Sequence, residues 1–163
     1  MPDVVDAQTR SRMMSGIRGK DTRPEMTIRR ALHRLGFRYR LHSKTLPGKP
    51  DLIFPRLSAV IFVHGCFWHG HDCHLFKWPS SRKEFWREKI EGNRTRDAVS
   101  SGRIEEAGWR ILTVWECALK GRTRQSEVAV VEAVASWLTS GTGNMELRGI
   151  RDGSNGRPDG LDG

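Results

Sequence analysis

Residues 59–64, AVIFVH, form an unbroken apolar run one strand long, and such a run demands cover on both of its faces. That requirement excludes a simple helical bundle and calls for a sheet with helices above and below it. Residues 109–115 repeat the pattern. The other elements fall into order around these two runs. Thr22 and Glu25 have capping-box spacing, and Ile28, Ala31, Leu32 and Leu35 follow at helical intervals up to Gly36. Residues 37–41 alternate aromatic and basic side chains as a half-buried strand does. Leu46-Pro47-Gly48 makes a turn, and residues 51–54 read as a short strand. A long charged helix is expected from about residue 81 to 107, with breaks near Gly92 and Gly102. A last helix should bury Val128, Val131, Ala135 and Leu138. Helix, three strands, helix, strand, helix predicts a mixed α/β domain with one central sheet.

At 163 residues the chain holds about one domain. Residues 1–20 are polar and basic and read as an arm that orders on a partner. Residues 21–140 form the folded domain, and the Gly-rich, polar stretch 141–163 is expected to be disordered. The formal net charge of +9 points to a polyanion such as nucleic acid. Three cysteines do not suit a closed disulfide framework, the N-terminus has no signal-peptide core, and no stretch approaches the roughly 18 apolar residues of a membrane span. These features predict a cytoplasmic protein whose cysteines hold metal or sit inert in the core.

Cys66, His71 and Cys73 lie in the run GCFWHGHDCHLF, directly after the first apolar strand. Zinc takes four nitrogen or sulfur ligands tetrahedrally, and a short irregular loop can supply three. Cys117 follows the second apolar run, so it completes a Cys3His set if the two strands are neighbours. Spacing leaves open whether His69, His71 or His74 is the nitrogen ligand. A closed four-ligand site is structural rather than catalytic.

A second constellation is carboxylate and imidazole. Asp51 opens one strand, and the next strand ends at His64. Aspartate is a fitting oxygen ligand for magnesium, and phosphodiester hydrolysis needs a divalent cation to polarise phosphate and acidify water. His64 and His69 flank the same sheet edge as candidate general base or transition-state stabiliser. Glu25 is explained by the helix cap, or by accepting from cation-bound water if the helix start faces Asp51. Asp97, on the long helix, is an ion-pair partner or an orienter of a histidine.

Taken together, these residues resemble the very short patch repair (Vsr) mismatch endonucleases. The matching stretches are TRSR at 9–12, LPGKPD at 46–51, VIFVHGCFWH at 60–69, EFWREKI at 84–90 and GWRILTVWECAL at 108–119. The resemblance covers about residues 3–140. It implies a restriction-endonuclease-like fold of the PD-(D/E)xK group, in which Phe62-Val63-His64 replaces the usual acidic residue and lysine. It implies that Asp51 binds magnesium directly, with the backbone carbonyl of Val63 as a second ligand. It further implies that His69 acts at the scissile phosphate, assisted by His64, with Glu25 and Asp97 in support. The zinc ligands it implies are Cys66, His71, Cys73 and Cys117.

The same resemblance implies a substrate, duplex DNA carrying a T:G mismatch left by deamination of 5-methylcytosine, nicked 5′ of the thymine. Phe67, Trp68 and Trp86 match an aromatic wedge that enters the DNA, and Met14 matches a probe from the opposite groove. Lys89 and Asn93 match positions that touch the mispaired bases. A monomer is expected, with mismatch-repair proteins as possible partners. The chain departs from the family pattern at Val63, where Thr is common, and at Gly70 and Asp72, which interrupt a frequent run of histidines. Two competing readings are a non-catalytic zinc module for distorted DNA and a restriction enzyme for perfectly paired sites.

Overall fold

The computed structural model describes residues 22–42 and 44–150. The arm at 1–20, with Met14, and the tail from 151 onward lie outside the described residues.

Among the described residues three α-helices and five strands follow one another: α1 (Arg23–Arg34), β1 (Arg40–Leu41), β2 (Leu52–Phe54), β3 (Ala59–His64), α2 (Lys83–Glu106), β4 (Arg110–Trp115), α3 (Glu127–Ser140) and β5 (Met145–Leu147). They build one five-stranded sheet in chain order, β1-β2-β3-β4-β5. The first two pairings are antiparallel and the last two parallel. The helix α2 makes the crossover between parallel β3 and β4, which a hairpin cannot do.

Alternation along the strands sorts the core into two layers. Leu52, Phe54, Ala59, Ile61, Leu112 and Val114 point to one face, where Ile28 and Leu32 of α1 meet Val130, Val134, Trp137 and Leu138 of α3. Ile53, Val60, Phe62 and Ile111 point to the other, against Ile104 of α2. The apolar run at 59–64 is thus covered on both sides, as it requires.

The structure corrects several details. Helix α2 runs unbroken through Gly92 and Gly102. In α1 the buried stripe is Ile28 and Leu32, while Leu35 is exposed beyond the helix end. The α3 stripe is displaced from the expected one: Val130, Val134, Trp137 and Leu138 are buried and Val128 is exposed. Arg110 explains part of this, because its guanidinium lies over the Trp137 ring and bonds the carbonyls of Trp137 and Gly141, pinning the end of α3 to β4. The tail expected to be structureless from 141 supplies β5, which pairs parallel to β4 and buries Leu147. Among the described residues no helix is long and apolar enough to cross a membrane.

Candidate active site and metal clip

The parallel register of β3 and β4 sets His64 opposite Trp115. Cys66 and Cys117 each follow two residues later, so the strand ends deliver both sulfurs to one place. The loop after β3 then folds back, with the His71 amide donating to the Cys66 carbonyl at 2.9 Å. Cys66, His71, Cys73 and Cys117 bring their ligand atoms within 4.8 Å of one another. His71 Nδ1 lies 3.5 Å from Cys66 Sγ and 3.6 Å from Cys117 Sγ. Zinc–sulfur bonds of about 2.3 Å and zinc–nitrogen bonds of about 2.0 Å at tetrahedral angles put S and N about 3.5 Å apart, so the donor set fits.

Backbone amides support the sulfurs as acceptors: Cys117 N–H donates to Cys66 Sγ at 3.3 Å and Gly149 N–H to Cys117 Sγ at 3.2 Å. Burial pushes the Cys66 and Cys117 thiols up, which opposes ionisation until a cation is bound. Of the three histidines His71 is the one that brings a ring nitrogen to the sulfurs, while His69 turns to Asp97 and His74 Nδ1 to the Thr123 hydroxyl at 3.5 Å. Asp72 Oδ1 pairs with Arg148 at 2.8 Å and lies 3.7 Å from His71 Nε2, beside the clip. Gly70, at φ +61°, leaves room for Arg94, which bonds its carbonyl.

On the other side of the β3 end is a cleft of about 520 Å³, lined among others by His42, Asp51, Val63, His64, His69 and Asp97. Asp51 is held just before β2, its Oδ2 accepting from Val63 N–H at 2.7 Å. Burial, with the Glu25 charge adding to it, raises the Asp51 carboxyl to about 7, against the lowering effect of the Val63 amide. Thr22 caps α1 through Glu25 N–H at 3.4 Å, while the buried Glu25 carboxylate accepts from Arg29 at 3.0 Å and meets His42 Nε2 at 2.6 Å. The start of α1 therefore does face the Asp51 edge.

His69 Nδ1 sits 2.5 Å from Asp97 Oδ2. A carboxylate accepting from Nδ1–H fixes the tautomer and leaves Nε2 as the basic nitrogen. The His64 ring stacks on His69 at 3.8 Å. Burial, then the neighbouring His69 and His71, hold His64 well below the usual histidine range, so it stays neutral. His64 also meets Trp115 edge-on at 5.3 Å, and Trp115 stacks on His71 at 3.9 Å. Rings thus run without interruption from the cleft to the metal clip.

The aromatic loop lies against α2. Phe67 meets Trp86 at 5.4 Å and Trp68 at 5.3 Å; Trp68 is buried, and Phe67 and Trp86 are half-buried. Asn93 donates to the Trp68 carbonyl at 2.7 Å, and Lys89 is half-buried one helical turn earlier. Sequence reasoning missed His42, Lys44, Lys49 and Glu116, all of which line the cleft. His42 carries no local signal: it arrives because β1 pairs with β2, Leu41 against Leu52.

Hard oxygen donors beside an oriented imidazole, in a basic protein, are groups that phosphodiester hydrolysis can use, and comparison with known proteins makes the class a DNA endonuclease. The family profile for DNA mismatch endonuclease Vsr matches residues 2–75. A type II nicking enzyme of Xanthomonas oryzae pv. oryzae, V.XorIIP, is 47% identical over 73% of this chain and 88% of its own length. The DNA mismatch endonuclease Vsr of Escherichia coli K12 is 45% identical over 85% of this chain and 88% of its own. A type II nicking enzyme of Neisseria meningitidis, V.NmeAIP, is 41% identical over 75% and 87%. The chain belongs to the Vsr family of DNA mismatch endonucleases.

Proposed function

We propose that this protein nicks one strand of duplex DNA 5′ of the mispaired thymine in a T:G pair, the lesion left by deamination of 5-methylcytosine, and so opens very short patch repair in the bacterial cytoplasm. The observation that carries this reading is the convergence of Asp51 and the His69–Asp97 pair on one cleft beside an aromatic loop. Asp51 and the Val63 carbonyl would hold magnesium, with Glu25 in support at the same edge. Magnesium supplies Lewis-acid polarisation of the phosphate and a more acidic water. Asp97 orients His69, whose Nε2 handles a proton at the scissile phosphate. Neutral His64 keeps the His69 ring flat against it.

Phe67 and Trp86, backed by Trp68, enter the DNA beside the mismatch, with Met14 of the basic arm on the opposite side. Unstacking costs less at a mismatch, and base–aromatic stacking recovers about 1–3 kcal/mol per base. Lys89 and Asn93 face the mispaired bases. Cys66, His71, Cys73 and Cys117 would hold zinc, which would keep the wedge loop rigid. The protein acts as a monomer with an arm at 1–20, and mismatch-repair proteins are its candidate partners.

A strand-resolved cleavage assay on T:G and C:G duplexes in magnesium tests this. The expected product is a single nick, in the T strand of the T:G duplex only. Double-strand cleavage of paired DNA would instead favour a restriction enzyme, and binding without cleavage a non-catalytic module.

A further inference from the structure

Three groups of side chains among the described residues bring metal-binding atoms together. The Cys–His clip and the His64–His69–Asp97 group have their roles above. The third is Glu25, His42 and Asp51, and His42 belongs to no role yet assigned.

Its placement is specific. His42 is a non-glycine residue at φ +47°, a left-handed conformation that side chains seldom adopt. Its N–H is tied to the Asp51 carbonyl at 3.0 Å, and Leu41 pairs with Leu52 just before it. This backbone turn carries the ring into the cleft instead of along the strand. There His42 Nε2 lies 2.6 Å from Glu25 Oε2, the histidine side chain being 15% exposed and the glutamate 1%. The ligand atoms of Glu25, His42 and Asp51 all fall within 4.8 Å of one another. Donors on an octahedral cation with bonds of about 2.1 Å lie about 3 Å apart when adjacent and about 4.2 Å when opposite, so slight rotation brings all three to one ion. A buried and a half-buried carboxylate that close together favour a cation between them, beyond the Arg29 guanidinium that already pairs with Glu25.

We propose that His42 Nε2 is a direct ligand of the cation held at Asp51, beside Glu25, so that the site takes manganese or cobalt in preference to magnesium. Magnesium takes oxygen, whereas a neutral imidazole strengthens binding of first-row transition ions. At 2.6 Å from the Glu25 carboxylate, His42 Nε2 carries the proton it donates, and binding the ion moves that proton to Nδ1 or to solvent, leaving the Nε2 lone pair for the ion. The inference rests on the cleft being the cation site of the endonuclease.

The test uses the full-length, zinc-loaded protein and manganese alone. Free manganese is followed by electron paramagnetic resonance during titration, and pulsed measurements read the nitrogen-14 modulation of a bound imidazole. The wild-type protein is expected to bind manganese with that modulation. His42→Asn, chosen because asparagine tolerates the left-handed backbone, should lose the modulation and weaken manganese binding by about tenfold or more, with a smaller loss for magnesium. His42→Gln is the second variant if a melting curve shows the first unfolded. His69→Gln should keep the signal. Modulation that survives in the His42 variants, that vanishes with His69→Gln, or that is missing from the wild type would overturn the proposal. Nicking of a T:G duplex in magnesium by the wild type is run alongside. An inactive enzyme with a His42-dependent signal would defeat the parent reading alone, and an active enzyme without one would defeat only this inference.

Discussion

The two candidate metal sites stand at opposite ends of a short pile of rings, and they are built on opposite principles. In the Cys–His clip four donors converge from a loop and a strand end, three of the four are buried, and two backbone amides support the sulfurs. Four protein donors would fill the coordination of a tetrahedral ion. In the cleft the donors line one wall of an open space, and Asp51 is the member under electrostatic stress. The first arrangement suits an ion that holds the fold; the second suits an ion that keeps open positions for water and phosphate. The difference shows how one sheet edge can host rigidity and reactivity side by side.

The sharpest break in that contrast is functional. Asp51→Ala and His69→Ala should each lower T:G nicking by roughly 10²–10⁴-fold while leaving duplex binding measurable by gel shift. Full activity in either would remove the cleft from the mechanism. Cys73→Ser should do the reverse, releasing the bound metal and lowering the melting temperature. Cys73 is half-buried, so the loss there is chiefly that of a metal bond and not of packing. Retained metal with unchanged melting would mean that the clip is not structural.

The smallest effect concerns pH. Asp51 has its folded carboxyl raised from 3.8 to about 7, mainly by burial. A raised carboxyl favours the protonated fold, so its stabilising contribution is full below the unfolded value and is lost as pH rises through about 7. Without a cation, Asp51→Asn should therefore be more stable than wild type by on the order of 1–3 kcal/mol near pH 8, with the gap closing toward about pH 4, in urea titrations. Magnesium affinity of the wild type should climb about tenfold per pH unit below about 7 and then level off. A flat profile would place Asp51 outside the cation site.

Much of this was legible because the strongest signals are local. A continuous apolar run identifies a central strand without any knowledge of its neighbours. Three of the four clip ligands lie within one short loop, and the fourth needed only that β3 and β4 be adjacent. Two features were hidden for the same reason, that pairing between distant segments creates them. His42 has an unremarkable sequence setting and reaches the cleft only through the β1–β2 register. The strand β5 is three residues in a polar, glycine-rich stretch, and only Leu147 is buried. In α3 the apolar residues are too many to define a stripe, so packing against α1 and the sheet, with Arg110 over Trp137, decides which ones turn inward.

Gly149 carries a consequence for anyone handling the protein. A Cβ there would stand 2.1 Å from the Thr123 hydroxyl and 2.7 Å from the Cys117 carbonyl. The neighbouring Ile150 amide is bound to the Thr123 carbonyl at 2.8 Å. Trimming the gene at residue 140 because the following residues look dispensable would delete an edge strand and one of the sulfur's hydrogen-bond donors together. Purification handles and fusion partners are safer joined beyond Ile150 by a loose spacer than cut in ahead of it.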